Sequence, residues 1–162
     1  MLKAQNDLRR SFRGGLRRAL GLSILFAGLS LGGGVAPSSA AEPFQLVVHV
    51  SNPVSVLSAQ EVSKMFLKKV SRWEGGGRVW PVDLEERSTV REAFSLRVHG
   101  KDTSAIKAFW QRMIFSGRDV PPPEMKTVRE VLDYVREHPG AIGYVPAGTG
   151  LVDGVKPLRV AP

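Results

Sequence analysis

"VDLEERSTVREAF", residues 82–94, joins the end of a β-rich run to the start of a helical one, and its reading decides the fold class. Upstream, "VWPVDL" (79–84) reads as a strand, and Pro81, which has no N–H to donate, places it at an edge or a bulge. Downstream, Val90, Phe94 and Val98 recur at helical spacing, so a helix is predicted from about Ser88 to Val98, with Gly100 as its C-terminal cap. A strand that runs through a polar turn into a helix is the building unit of an α/β sheet.

The flanking sequence continues the alternation. "FQLVVHV" (44–50) is β-rich and reads as a mostly buried strand, followed by a loop "SNPVSVL" with Asn52-Pro53 turn chemistry. Ser58 and Glu61 form a capping box that opens a helix over 59–69, striped by Val62, Met65 and Phe66. "RWEGGGRVW" (72–80) is a glycine-rich turn. Ile106, Phe109, Trp110, Met113 and Ile114 follow the i, i+3, i+4, i+7, i+8 pattern of a helix that Gly117 stops. After the stiff "DVPPPEM" connector, Thr127 and Glu130 cap a helix striped by Val128, Val131, Leu132 and Val135. "AIGYVP" (141–146) and "VKPLRV" (155–160) are the last strands. The order β-α-β-α-α-α-β-β predicts an α/β domain with a mixed sheet flanked by helices.

The first forty residues read differently. Arg9, Arg10, Arg13, Arg17 and Arg18 precede an apolar run from Ala19 to Leu31, and "PSSAAE" offers small-x-small cleavage sites. That is the layout of a cleaved signal peptide over residues 1–40, leaving a mature domain over 41–162. The general secretory route is the default, although "RRSFR" (9–13) loosely matches a twin-arginine signal. Six of the 23 basic residues and one of the 15 acidic ones fall in residues 1–40, which leaves 17 basic against 14 acidic and a net charge of +3. The high pI therefore belongs to the targeting segment and gives no support to nucleic-acid binding. With no cysteine, disulfides, thiolate metal sites, a cysteine nucleophile and a lipid anchor on an N-terminal cysteine are excluded, so the expected product is a soluble periplasmic protein.

Little in the chain points to catalysis or to a metal. His49, His99 and His138 show no HxxxH or HExxH pairing, and there is no GxSxG elbow or Walker loop. "EGGGR" (74–78) precedes a strand where phosphate cradling needs a helix. His138, before Pro139-Gly140, suits a helix C-terminus. Asp83, Glu85 and Glu86 read as a solvated turn, Trp110 as core, and Trp73 and Trp80 as either core or a stacking surface for sugars or bases. No enzyme activity and no cofactor are expected.

The remaining candidate is the head of the Ser88–Val98 helix. Free N–H groups there favour an oxyanion, Ser88 and Thr89 add hydroxyls, and Arg87 and Arg91, one turn apart, add charge. The alternative is an ordinary capped helix, with the arginines solvated or paired to Glu86 and Glu92.

"VLSAQEVSKMFLKKVSRWEGGGRVWPVDL" (56–84), "FWQRMIFSG" (109–117) with "PPPEM", and "HPGAIGYVP" (138–146) together resemble the phosphate-binding-protein-like superfamily, the phosphate ABC transporter substrate-binding proteins. The resemblance implies a single lobe of a periplasmic binding protein-like fold, in a family whose full-length members clamp ligand between two lobes. In the phosphate binders a serine-glycine-threonine turn opening a helix donates to the phosphate. Aligned on Phe94, Ser88 matches that serine, Thr89 stands at the glycine, Val90 at the threonine, and Leu84 at a preceding arginine. The expected site is therefore the backbone at Ser88, Thr89 and Val90 with Arg91 and Arg87, joined by the Ser51–Asn52 loop after the first strand. The expected partners are phosphate or a similar oxyanion, a membrane transporter or sensor, and a second copy closing the half-clamp. The competing expectation is a lobe that binds no small ligand and acts through protein contacts.

Overall fold

The structure is a computed structural model that describes residues 43–161; the predicted signal peptide lies outside the described residues. Strand β1 (Phe44–His49) occupies the centre of a five-stranded mixed sheet, with β7 (Val155–Ala161) on one side and β6 (Ala141–Pro146) on the other. Both pair antiparallel to it. The outer strands, β2 (Val56–Ser58) against β7 and β3 (Trp80–Pro81) against β6, pair parallel. Four strands therefore run one way and β1 runs against them.

Burial of β1 on both faces gives the domain three layers. Leu46 and Tyr144 lie side by side in the register, and the ring of Tyr144 meets Phe66 of helix α1 (Ala59–Phe66) and Phe94 of helix α2 (Thr89–Phe94). Val47 is paired with Gly143 and faces the other way, towards helix α4 (Val128–Glu137), whose Val131, Leu132 and Val135 are buried. Gly143 marks how closely α4 approaches. A Cβ there would sit 2.8 Å from Val131 Cγ1 and 2.9 Å from Val82 Cγ1, so any side chain would push the helix off the sheet.

Local chemistry explains most boundaries. The Ser58–Glu61 capping box is present in both directions, and Thr127 accepts from Glu130 N–H at 3.2 Å. The predicted strand 79–84 is divided into β3 and β4 (Asp83–Leu84). Pro81, which cannot donate, sits on the edge strand β3, and the chain changes partner after Val82: Val82 N–H still reaches Ile142 O, while Asp83 N–H bonds Pro123 O beside β5 (Glu124–Met125). Strand β2 occupies what reads as loop in the sequence, and β5 lies within the predicted connector.

Helix α2 continues as a π-helical turn over Ser95–His99 and ends at Gly100, in the left-handed conformation with φ 63°. The turn buries Val98 and sets His99 edge-on against Phe94. Helix α3 (Thr103–Phe115) departs from its sequence pattern: Ile106 and Trp110 are buried, but Ile114 is 49% exposed and Phe115 89% exposed.

Candidate functional site

The head of α2 follows the carboxyl end of β4 and sits over a small buried polar cluster. Asp83 is flanked by buried Val82 and Leu84, so strand alternation turns it away from both and against the Tyr144 side chain. The Tyr144 hydroxyl donates to Asp83 Oδ1, which also accepts from Leu84 N–H at 3.0 Å. Arg91, only 9% exposed, completes the cluster. Its Nη1 donates to Leu84 O and to Glu124 Oε1, each at 2.6 Å, and its Nη2 lies 3.2 Å from Asp83 Oδ2.

These groups shift one another. Burial pushes the Asp83 carboxyl up, opposed by Arg91, the Tyr144 hydroxyl and the Leu84 N–H. Burial works against the Arg91 charge, but the Asp83 and Glu124 carboxylates outweigh it and hold the guanidinium above its ordinary pKa. Tyr144 is pushed up by burial and by Asp83, so its hydroxyl serves as a donor. The cluster ties β4, β5, β6 and α2 together with its own charges.

The residues expected to bind an anion therefore divide. Arg91 is neither solvated nor paired with Glu86 or Glu92; its charge is taken up by Asp83 and Glu124. The Ser88 hydroxyl accepts from Arg91 N–H at 3.4 Å, the bond of an N-cap. Val90 packs against the core, while Thr89 and Arg87 are exposed. The Asp83 reading as a solvated carboxylate is corrected: the residue is buried because it has Arg91 and Tyr144 as partners.

Ser51 and Asn52 lie elsewhere. Because β1 runs against β6 and β6 runs with β3, the end of β1 meets the start of β3, whereas Ser88 follows the end of β4. The loop and the α2 head are thus at opposite ends of the sheet, and the expectation that they line one edge is corrected. Asn52 is buried, with Oδ1 accepting from Val54 N–H at 2.9 Å and its carbonyl accepting from Lys156 Nζ.

Two serine–histidine contacts are present, although the sequence pattern suggests none. His49 Nδ1 lies 2.7 Å from Ser51 Oγ and also accepts from Ser51 N–H, a local turn on the surface. His99 Nδ1 lies 2.8 Å from Ser63 Oγ. Burial, then the nearby charges of Arg91 and Lys69, lower the His99 pKa from 6.5 to about 4. The unfolded chain therefore takes up a proton between about pH 6.5 and pH 4 that the folded chain refuses. This contribution is complete above pH 6.5 and is lost as pH falls through that window, amounting to roughly 3 kcal/mol. Asp83, raised by burial, acts in the opposite sense. Urea unfolding at pH 7 and pH 4.5 checks this: His99→Gln should lose distinctly less stability across the interval than the parent chain.

A cavity of about 160 Å³ opens beside the polar cluster, between Arg91 and Glu124 on one side and Glu86, Lys107, Trp110 and Ile114 on the other. Lys107 Nζ bonds both Glu86 oxygens, at 3.0 and 2.9 Å, so the second cation on the rim is also compensated. Among the described residues no group of three His, Cys, Asp or Glu side chains is placed to hold a metal ion, and no helix is long and apolar enough to cross a membrane.

The sequence holds a partial signal for this cluster. An aspartate inside "VDL" and a tyrosine inside the apolar run "AIGYVP" both call for buried partners. Neither indicates the other, and Glu124 sits in a segment without periodicity.

No protein-family model and no curated protein matches this chain. Solved structures do. An ABC-type phosphate transport receptor from Vibrio cholerae superposes with a TM-score of 0.57 at 16% identity, over 73% of this chain and 46% of the receptor. A protein described as a phosphate ABC transporter substrate-binding protein from Clostridium perfringens, solved with phosphate, gives 0.58 at 22% identity, over 73% of this chain and 44% of that one. PstS from Borrelia burgdorferi gives 0.52 at 15% identity, over 73% and 47%. The domain has the fold of the phosphate ABC transporter substrate-binding proteins. It spans less than half the length of the receptors it matches, as a single lobe does.

Proposed function

We propose that this chain is an interaction module built on a receptor lobe, exported to the periplasm, that acts through a protein partner and does not clamp phosphate at the head of α2. The observation that carries this reading is the closed coordination of Arg91 by Asp83, Glu124 and the Leu84 carbonyl. An incoming phosphate would have to displace two carboxylates from a nearly buried guanidinium, leaving Asp83 unpaired. The local charge works the same way, since Asp83, Glu85, Glu86, Glu92 and Glu124 outnumber Arg87, Arg91 and Lys107 around this end of the helix. A lone lobe also leaves its ligand in water, where ion pairing contributes little.

The end of α3 is the surface such a module would use. Ile114, Phe115 and Val120 are large exposed apolar side chains within seven residues, with exposed Arg112 and Arg118 beside them. Their complement is an apolar protein surface rimmed by carboxylates. A second copy of this chain would bring arginine against arginine, which weighs against a homodimer across this face.

The competing reading, capture of phosphate for a transporter or sensor, rests on the fold, the Ser88–Val90 backbone and exposed Arg87. Calorimetric titration of the full-length chain with inorganic phosphate, at low and moderate salt, separates the two. Absence of saturable binding at this site in the millimolar range is the expected outcome. Saturable binding that weakens in Arg87→Ala would restore phosphate capture at α2 and overturn the interaction reading.

A further inference from the structure

The turn "RWEGGGR" (72–78) forms a narrow hairpin closed by an isolated antiparallel bridge between Arg72 and Arg78. Trp73 N–H donates to Gly77 O at 3.1 Å and Val79 N–H to Ser71 O at 2.9 Å, which makes Arg72 and Arg78 a non-hydrogen-bonded pair. Side chains of such a pair leave the same face at the closest cross-strand spacing, and like charges there are destabilising. Alternation sends Trp73 and Val79 into the core and leaves Arg72, Arg78 and Trp80 on the outer face. The Arg78 guanidinium lies over the Trp80 ring, 4.4 Å from its centroid. Among the described residues no carboxylate forms an ion pair with Arg72 or Arg78. This contrasts with Arg91 and Lys107, whose charges are both compensated.

Arg78 lines three clefts, one of about 230 Å³ running towards Asp119 and Tyr134, and two that bear on an anion held by the arginine pair. One of these two, of about 250 Å³, lies against Ser71, Arg72 and Arg78. The other, of about 280 Å³, is bounded by Ser51, Asn52, the Gly75–Gly77 turn, Arg78 and Trp80. Its volume is at the lower limit of small-molecule sites, enough for a single-ring ligand. Hydroxyl, amide and backbone groups beside an indole edge suit a hydroxylated ring better than an apolar one. We propose that this end of the sheet binds an acidic saccharide: Arg72 and Arg78 hold its phosphate or carboxylate, Trp80 orders Arg78, and the Ser51–Asn52 cleft takes the sugar ring. The site lies at the opposite end of the sheet from α2 and is independent of how the α2 head is read.

Trp80, 41% exposed, and buried Trp73 both line the Ser51–Asn52 cleft, so a ligand there perturbs the intrinsic fluorescence. The full-length chain is titrated with glucose 6-phosphate, glucose and inorganic phosphate in parallel. Support is a saturable change with glucose 6-phosphate that salt weakens, about tenfold tighter than with either control, each missing half of the contacts. Arg72→Gln, which leaves the Arg78–Trp80 stack intact, should weaken it by about tenfold or more. Glucose 6-phosphate and phosphate binding equally would remove the sugar subsite and overturn the proposal. So would no saturable change, or binding indifferent to Arg72→Gln. Phosphate binding lost in Arg87→Ala but kept in Arg72→Gln belongs to α2, so failure of one reading is not mistaken for failure of the other.

Discussion

Arg91→Met is expected to remove about 3–5 kcal/mol of folding stability, a large share of what a domain of this size has. Methionine fills much of the arginine volume, so the loss is mainly electrostatic: Asp83 is left buried with only the Tyr144 hydroxyl and the Leu84 N–H, and Leu84 O loses its donor. Without the guanidinium, burial raises Asp83 further above its ordinary range. A carboxyl raised in the folded state contributes stability that is complete below its unfolded pKa and is lost as pH rises through the folded value. The deficit of Arg91→Met should therefore be smaller at pH 4 than at pH 7. Adding Asp83→Asn removes the stranded charge and should recover a good part of the loss at pH 7. Urea unfolding of both single variants and the double variant at the two pH values measures this. A deficit under about 1 kcal/mol, or one independent of pH, would mean that Arg91 is an ordinary surface arginine and that the case against an anion at α2 fails.

The fold was largely legible because its signals are periodic. Three-residue-spaced apolar stripes in α1 and α4, both N-caps and the continuous apolar runs of β1 and β6 all follow from side-chain direction along the chain. Strands of two or three residues were not legible. Asp83–Leu84 and Glu124–Met125 pair because the chain leaves β6 after Val82, and only the folded chain brings Pro123 within reach of Asp83 N–H. Helix α3 shows the opposite failure. Its stripe predicts burial, but the pattern records only that one face is apolar, and Ile114 with Phe115 beyond it remain exposed. At the α2 head, the spacing placed Arg91 on the helix correctly, whereas Arg87 lies in the turn before the Ser88 N-cap. What each arginine faces depends on residues 33 positions away at Glu124 and on the strand alternation that buries Asp83. Charge read from spacing alone could not separate a free cation from a neutralised one.

Phe94→Ala is expected to cost about 3–5 kcal/mol and to weaken the polar cluster without touching it. Phe94 lies flat on Tyr144, with ring centroids 4.0 Å apart and planes 5° apart, and meets Phe66 at 4.7 Å and Phe44 at 5.4 Å. The four rings join α1, α2, β1 and β6, so truncation at their centre leaves a cavity that no single neighbour can fill. Tyr144 is also the group that donates to Asp83, and its ring has one flat support in Phe94. With that support gone, the ring gains freedom to tilt, and the hydroxyl no longer holds Asp83 against Arg91. The two effects should therefore not add: Phe94→Ala with Arg91→Met should lose less than the sum of the single losses, by about 0.5 kcal/mol or more. Phe94→Leu, which keeps volume but not the flat face, separates cavity from stacking; it should recover most of the stability while retaining part of the coupling. Additive losses in urea unfolding would show that the aromatic cluster and the ion cluster are independent. In that case the closed state of Arg91 would depend on its carboxylates alone, and a ligand able to outcompete Glu124 could still open it.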